Sequence, residues 1–276
     1  NNESIAELNA FLSINASLFL KSGKKYICAQ TNNEYTAKRI YAILIDLFEE
    51  NIAINLHVIK ENDNEKYQII IDENFKISEQ LGINLNNKEK LISTILKDDK
   101  AFCAYFKGLF LASGSINSPK TTFYHLEIAT MKKEKANFIK SVINGFGNFE
   151  FKTIKRNNQW VIYVKKSEQI SDFMKLIGCV DSLMAFEDVR ILRDFENSLN
   201  RTHNMDVANI TKAVNASNKI IKIIKKLKKK SDLAFLSDRD KQLVKLRVDN
   251  PEMNMNELAT HYNKTHNDSI TKSGIN

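Results

Sequence analysis

Two apolar helical stretches with small residues at every fourth position constrain the fold most strongly. The stretch AYFKGLFLASGSI places Ala104, Gly108 and Ala112 on one helix face, and the fainter copy AELNAFLSINASL places Ala6 and Ala10 in the same way. Residues four apart stack on one face of a helix, so a stripe of small residues allows two backbones to approach closely. Two unrelated buried helices would show the same pattern. We favour a pseudo-two-fold domain whose halves meet at these helices.

The elements predicted around the two stretches follow the same order in each half. Tyr26 in the first half corresponds to Tyr124 in the second, and nearly the same offset relates Thr31 to Thr130. Each half is predicted as helix–hairpin–helix–hairpin–helix. A repeat that cannot bury its own sheet face pairs with its partner, so the pattern predicts one domain of the α+β class.

The positive charge is concentrated in the last third of the chain. The net charge is +8, and residues 197–276 contain 15 Lys and Arg against 8 Asp and Glu. This asymmetry predicts a polyanionic partner for the C-terminal part, most simply nucleic acid. Its densest run, KKLKKK at residues 225–230, is too repulsive for a core. It is either a solvated linker helix or a contact to DNA phosphates.

The C-terminal residues are predicted to form several helices. Two longer ones are expected at 182–199 and 205–230, and three short ones follow. Ser237, Asn254 and Ser269 are side chains suited to capping the short helices. The predicted short helices cover 238–248, 255–262 and the residues from 270 onward, with a connector at 263–268. Three short helices of which the third begins with small polar and basic residues favour a helix-turn-helix. The second long helix carries an apolar seam of Val207, Ile210, Val214, Ile221 and Ile224.

With 276 residues the chain has room for about two domains. The predicted organisation is a two-repeat domain, a basic helical linker and an all-α helix-turn-helix domain. Their boundaries are 1–196 (with repeats at about 1–95 and 96–196), 197–232 and 233–276.

Several classes of protein are excluded by the composition. Cys28, Cys103 and Cys179 are scattered without a C-x-x-C pair, so neither a zinc site nor a disulfide framework is predicted. Neither a metal nor another cofactor is expected. There is no apolar run of membrane-spanning length and no signal-peptide pattern, which predicts a cytoplasmic protein. A start without Met and an end where a helix begins are expected of a fragment.

The segment GLFLASGS resembles the LAGLIDADG helix of homing endonucleases. In that family two copies of the helix pack together, and an acidic residue at the end of each holds the catalytic divalent metal. The resemblance puts Asn15 and Ser113 at those acidic positions. Neutral side chains there cannot supply the paired carboxylates that hold a metal ion and activate water, which argues against a nuclease.

Nearly the whole chain resembles the bacterial WhiA family of sporulation and cell-division regulators. The resemblance rests on three stretches in the same order, FKGLFLASGSINSPKTTFYHLEI, NRTHNMDVANITKAVNAS and the closing SITKSGIN. It implies a degenerate LAGLIDADG-like domain joined to a helix-turn-helix. It also implies a non-catalytic DNA-binding protein acting in cell division and chromosome segregation, associated with the nucleoid. Its recognition helix would continue past Asn276.

Candidate DNA contacts follow from position in the predicted helices. Those on the third short helix and at its start are Ser269, Thr271, Lys272, Ser273 and Asn276; those on the second are Asn256, Glu257 and His261; those on the longer helix are Arg201 and Lys212. The longer helix also carries Asn204 and Asn209, and these polar residues either contact phosphate or bridge domains.

Three functions remain open at this point. The first is a sequence-specific protein that binds double-stranded DNA, as a transcriptional regulator or a nucleoid-associated factor. The second is a metal-dependent endonuclease that uses other acids, which only the scaffold supports. The third is a scaffold whose N-terminal domain binds protein or RNA, and its nearly neutral charge fits a protein partner better than duplex DNA. The sequence indicates neither the oligomeric state nor the DNA target.

Overall fold

The first repeat builds a four-stranded antiparallel sheet covered by helices. The computed structural model describes residues 2–48, 53–61, 64–72, 77–81, 97–121, 123–231 and 233–275. The strands lie in the order β1-β2-β4-β3, and a turn at Ser22 and Gly23, both with positive φ, joins the first two. The elements of this repeat are α1 (Asn2–Asn15), β1 (Ala16–Lys21), β2 (Lys24–Thr31), α2 (Glu34–Phe48), β3 (Ile54–Glu61), β4 (Asn64–Asp72) and α3 (Ile77–Gln80).

The second repeat has the same architecture. Its sheet has the order β5-β6-β8-β7, which is the first sheet's order repeated. Asn157 and Asn158, both at positive φ, form the tight turn between β7 and β8. The elements are α4 (Asp99–Ser113), β5 (Gly114–Ile116), β6 (Leu126–Thr130), α5 (Lys133–Gly145), β7 (Lys152–Arg156), β8 (Gln159–Val164) and α6 (Ser167–Leu176). The predicted pseudo-two-fold α+β domain is confirmed.

Each sheet buries one face beneath its own helices. In β6 the side chains of Leu126, Ile128 and Thr130 are buried and alternate with less buried residues, as expected for a half-covered strand. In α2, Ala37, Ile40 and Leu44 are fully buried at helical spacing. The structure describes a short helix at Ile77–Gln80, inside the stretch 75–82 for which the sequence predicts a helix, and residues 73–76 and 82–96 lie outside the described residues.

The two small-residue helices, α1 and α4, pack against each other. A Cβ at Gly108 would lie 2.9 Å from Cβ of Ala10 and would overlap the backbone carbonyl oxygen of Glu7. The helix axes can therefore approach this closely only because Gly108 has no side chain. Leu8 and Phe11 of α1 belong to the core of the first repeat, whereas Ala10 belongs to the core of the second.

The remaining residues form four helices, α7 (Val180–Ser231), α8 (Asp238–Asp249), α9 (Met255–His266) and α10 (Lys272–Ile275), in the described part of the chain. Backbone contacts divide the chain into two units, Asn1–Ile191 and Leu192–Asn276, and the division falls inside α7. The predicted domain boundaries at 196 and 232 stay predictions. None of the helices that the structure describes is both long and apolar enough to cross a membrane.

The prediction of two separate helices at 182–199 and 205–230 is wrong, because α7 runs through without interruption. The polar residues between them include neither Gly nor Pro, and Thr202 Oγ1 donates a hydrogen bond to the carbonyl of Ser198, 3.1 Å away, inside the helix. The predicted apolar seam is also only partly correct. Ile221 is buried, whereas Val207 and Ile210 are exposed by 48% and 59%.

Candidate nucleic-acid interface

The two positions where homing endonucleases carry acids lie at the ends of α1 and α4. Asn15 Nδ2 donates a hydrogen bond to the carbonyl of Ala112, 2.9 Å away, and so links the end of α1 to the end of α4. Ser113 Oγ donates to the carbonyl of Ala129 in β6, at 2.7 Å. Both side chains therefore hold neighbouring backbone in place.

This arrangement does not fit a divalent metal ion. Mg²⁺ and Ca²⁺ are held by carboxylates and other oxygen ligands, and a nuclease centre needs the negative charge of carboxylates. Asn15 and Ser113 are neutral, and each donates a hydrogen bond to a main-chain carbonyl. The described ranges contain no group of three His, Cys, Asp or Glu side chains that could hold a metal ion.

A lysine from the second repeat reaches the end of α1. Lys135 Nζ donates to Ser13 Oγ at 2.7 Å and lies 5.6 Å from the centre of the Tyr105 ring. A cation–π contact of this kind is favourable when the ring is desolvated, and Tyr105 is fully buried. The ammonium group of Lys135 is therefore held at the interface between the repeats, beside Ser13, which precedes Asn15 by two residues.

In the C-terminal unit, the first two short helices begin as the sequence predicts. Ser237 Oγ accepts the backbone N–H of Asp240 at 3.2 Å. Asn254 and Glu257 form a complete capping box, in which Asn254 Oδ1 accepts the N–H of Glu257 and Glu257 Oε2 accepts the N–H of Asn254. Leu243 and Leu246 pack with Tyr262 and other residues in a small core.

The predicted end of α9 and the predicted cap of the third helix are both wrong. Helix α9 continues into the expected connector as far as His266, and Asn267 ends it in the left-handed conformation with φ 52°. The third helix begins at Lys272, so Ser269 is not its N-cap. The reason is Asn263, whose side chain donates to the carbonyl of Ile270 at 2.9 Å and accepts its N–H at 2.8 Å. Both backbone groups of Ile270 are thus held by a side chain instead of a helical ladder.

The structure brings most of the candidate DNA contacts to exposed positions of this unit. Glu257 is exposed, but its carboxylate is engaged in the capping box. Asn276 lies outside the described residues. Their contacts with DNA stay predictions. The exposed candidates are Asn256 and His261 on α9, Ser269 and Thr271 before α10, Lys272 and Ser273 in α10, and Arg201 and Lys212 on α7.

Sequence reasoning missed Arg247, which joins three elements of the unit. Its side chain is 6% exposed and donates hydrogen bonds to Ser217 Oγ on α7 at 3.2 Å and to the carbonyl of Met253, just before α9, at 2.6 Å. Burial lowers the pKa of this guanidinium, and the nearby Glu252 opposes that effect. The sequence signal was weak. Arg247 is the basic residue in the last turn of α8, where a cation is also favoured by the helix dipole.

Family models match the chain in three consecutive segments. The model described as the WhiA N-terminal LAGLIDADG-like domain matches residues 1–84. The WhiA LAGLIDADG-like domain matches residues 102–196, and the WhiA C-terminal HTH domain matches residues 199–276.

Full-length relatives and solved structures agree with these matches. "Probable cell division protein WhiA" from Staphylococcus haemolyticus is 35% identical over 277 residues, which cover 98% of this chain and 86% of that protein. The protein of the same name from Staphylococcus aureus is 34% identical with the same coverage. The crystal structure of full-length WhiA from Thermotoga maritima matches with a TM-score of 0.61 at 24% identity, over 99% of this chain and 87% of that one, and so shares the fold. The chain belongs to the WhiA family.

Proposed function

We propose that this protein is a non-catalytic DNA-binding factor that acts in cell division, as a transcriptional regulator or a nucleoid-associated protein with a role in chromosome segregation. The observation that carries the proposal is the C-terminal unit, in which capped helices of a matched HTH domain expose polar and basic side chains. The unit also contains most of the chain's excess positive charge. The name of the staphylococcal relatives supports the link to cell division.

The absence of nuclease activity is proposed from the ends of α1 and α4. Asn15 and Ser113 are neutral and bond to backbone carbonyls, so neither supplies the charge that a metal-dependent cleavage reaction requires. We expect no cleavage of supercoiled plasmid by the purified protein in the presence of Mg²⁺. Metal-dependent cleavage that persists through stringent purification would favour the endonuclease alternative.

DNA binding is tested by a salt titration of duplex affinity with the whole chain. Each neutralised phosphate contributes about −0.9 to the slope of log K against log salt concentration. The Lys272→Gln variant should weaken binding, because Lys272 is exposed at the start of α10. Lys264→Gln is the matched control, since it removes the same charge from an exposed position in α9 at which no DNA contact is predicted. A flat salt dependence, or no binding at low salt, would contradict the proposal.

A protein partner on the N-terminal repeats is a second candidate. The first two-thirds of the chain is nearly neutral, and Leu18 and Leu20 are exposed by 58% and 71% on the edge strand β1. An exposed apolar edge favours an interaction surface. Replacing both leucines by Ser should abolish the binding of a protein partner in a pull-down with the whole chain, and should leave the affinity for duplex DNA unchanged. Equal capture by the variant would contradict this role.

A further inference from the structure

One face of α7 carries a row of lysines that the helix-turn-helix does not account for. Lys212, Lys219, Lys222, Lys226 and Lys229 follow at intervals of seven, three, four and three residues, which is the spacing of a single helix face. All five are exposed. We call this row the lysine face. At 1.5 Å per residue it is about 26 Å long.

The opposite side of the same helix segment is packed. Ser217 and Ile221 are exposed by only 1% and 8%, and Ser217 accepts the hydrogen bond from Arg247 described above. Ser217 follows Lys212 by five residues, and Ile221 follows Lys219 by two, which places both on the far side of the helix. The helix therefore uses one side to join the short helices and leaves the lysine face available.

The lysine face has no charge partner along its own helix. From Val207 to Ser231 the sequence contains eight Lys and neither Asp nor Glu, so no intrahelical ion pair at i, i+4 is available. Lysines near the end of a helix are stabilised by the helix dipole, but that effect is limited to the last turn. It accounts for Lys228 to Lys230 and not for Lys212, Lys219 or Lys222. A run of uncompensated like charges destabilises a helix and fits a surface that meets a polyanion.

We propose that the lysine face is a second DNA-binding surface, which holds the phosphate backbone of duplex DNA without reading its sequence. It rests on the proposed DNA-binding function and adds a contact on α7, outside the three short helices α8, α9 and α10. Lys is suited to this task as a point charge on a flexible stem, and phosphate contacts position a protein on DNA without specifying bases. Two apolar side chains of the same segment, Ile223 and Leu227, are exposed by 58% and 41%, so an anionic lipid surface is the alternative that the test includes.

The test compares two double substitutions in the same turns of α7. Lys222→Gln with Lys226→Gln removes two charges from the lysine face. Lys225→Gln with Lys228→Gln removes two charges from other sides of the helix, and all four positions are exposed. Gln has nearly the helix propensity of Lys, so helix content by circular dichroism should be equal in both variants. The probe is a 30-base-pair duplex of arbitrary sequence, titrated against salt with the whole chain.

The lysine-face variant should lower the magnitude of the salt slope by about 1.8, as expected for two lost phosphate contacts. The control variant should change it by less than one contact. The proposal would be overturned if the two double variants had the same salt slope, whether or not that slope differs from the slope of the unaltered chain.

The same titration separates this proposal from the helix-turn-helix. If Lys272→Gln weakens binding while the two double variants behave alike, the helix-turn-helix binds DNA and the lysine face does not. If only the lysine-face variant changes the slope, DNA binding through the helix-turn-helix is wrong and the lysine face is supported. Binding of the unaltered chain to anionic lipid vesicles that exceeds its duplex binding would overturn the assignment to DNA.

Discussion

The helix pair α1 and α4 and the junction around Arg247 hold helices together by different interactions. In the first, two helices meet through small residues, and the closest point is a glycine, Gly108, beside Ala10. In the second, α7, α8 and the start of α9 are joined by one long, charged side chain. The first junction requires that Gly108 has no side chain, and the second depends on the hydrogen bonds of the Arg247 side chain.

This difference follows from the size of the two cores. Each repeat buries a large cluster of apolar side chains, which holds α1 and α4 in contact, and the Asn15 side chain adds a hydrogen bond at their ends. The core of the short helices is small, and its buried residues are Ala259, Tyr262 and Ile270. Polar contacts therefore carry more of the stability of the C-terminal unit, as its caps and the Asn263 side chain also indicate.

The largest effect is expected from adding a side chain at the helix pair. Gly108→Val should lower the free energy of unfolding of the N-terminal unit by about 3 kcal/mol, because its Cβ would overlap Glu7 backbone and Ala10. The chain contains one tryptophan, Trp160 in β8, so its fluorescence reports unfolding of this unit. The control is Gly145→Ala at the end of α5, where a Cβ meets no atom within 4 Å. An unchanged midpoint in Gly108→Val would show that the helices can separate freely.

A smaller effect is expected at the arginine junction. Arg247→Met should destabilise the C-terminal unit by about 2 kcal/mol, because the buried Ser217 hydroxyl and the Met253 carbonyl lose their donor. The matched control is Arg239→Met, which removes an exposed pair with Asp268 at 3.1 Å and should cost less than about 1 kcal/mol. Helical circular dichroism follows this unit, and the Trp160 transition should not move. Equal effects of the two substitutions would mean that burial of Arg247 adds nothing.

The sequence predicted the first junction and could not predict the second. Small residues at fixed spacing leave a periodic signal, and the repeat of that signal predicted the fold. The resemblance to the LAGLIDADG helix identified the neutral positions Asn15 and Ser113. Arg247 and Asn263 act through contacts to residues whose positions depend on tertiary structure, so neither has a local pattern. The late start of α10 was missed for the same reason. Ser269 suits a cap, but the hydrogen bonds from Asn263 to Ile270 delay the helix.

The continuity of α7 could not be predicted from the local pattern of apolar residues either. A polar stretch at residues 200–204 looks like a break when judged by apolar periodicity. Without Gly or Pro, however, nothing forces the backbone out of the helix, and the polar side chains of Arg201 and Asn204 are simply exposed.

The smallest expected effect concerns acid sensitivity, which should separate the two units again. Glu127 in β6 lies 2.8 Å from His125 Nε2 and 2.6 Å from a guanidinium nitrogen of Arg156. Partial burial acts to raise the pKa of Glu127, but the hydrogen bonds from His125 and Arg156 outweigh it, so this pKa is lowered from its ordinary value of 4.5. A carboxylate whose folded-state pKa is lowered stabilises the fold above its unfolded pKa, and that stability is lost as the pH falls through the folded value.

The N-terminal unit should therefore lose stability as the pH falls below about 4.5, and Glu127→Gln should reduce that loss while leaving the C-terminal unit unaffected. Urea unfolding followed by Trp160 fluorescence at a series of pH values between about 3 and 7 measures it. Glu168→Gln, in the first turn of α6, is the control for a change in overall charge. If Glu127→Gln and Glu168→Gln reduce the pH dependence of the unfolding free energy equally, the hydrogen bonds of Glu127 to His125 and Arg156 add nothing beyond the charge of one carboxylate. A difference between them would place a specific, pH-dependent contact on the sheet of the second repeat, in the same unit as the closely packed helices α1 and α4.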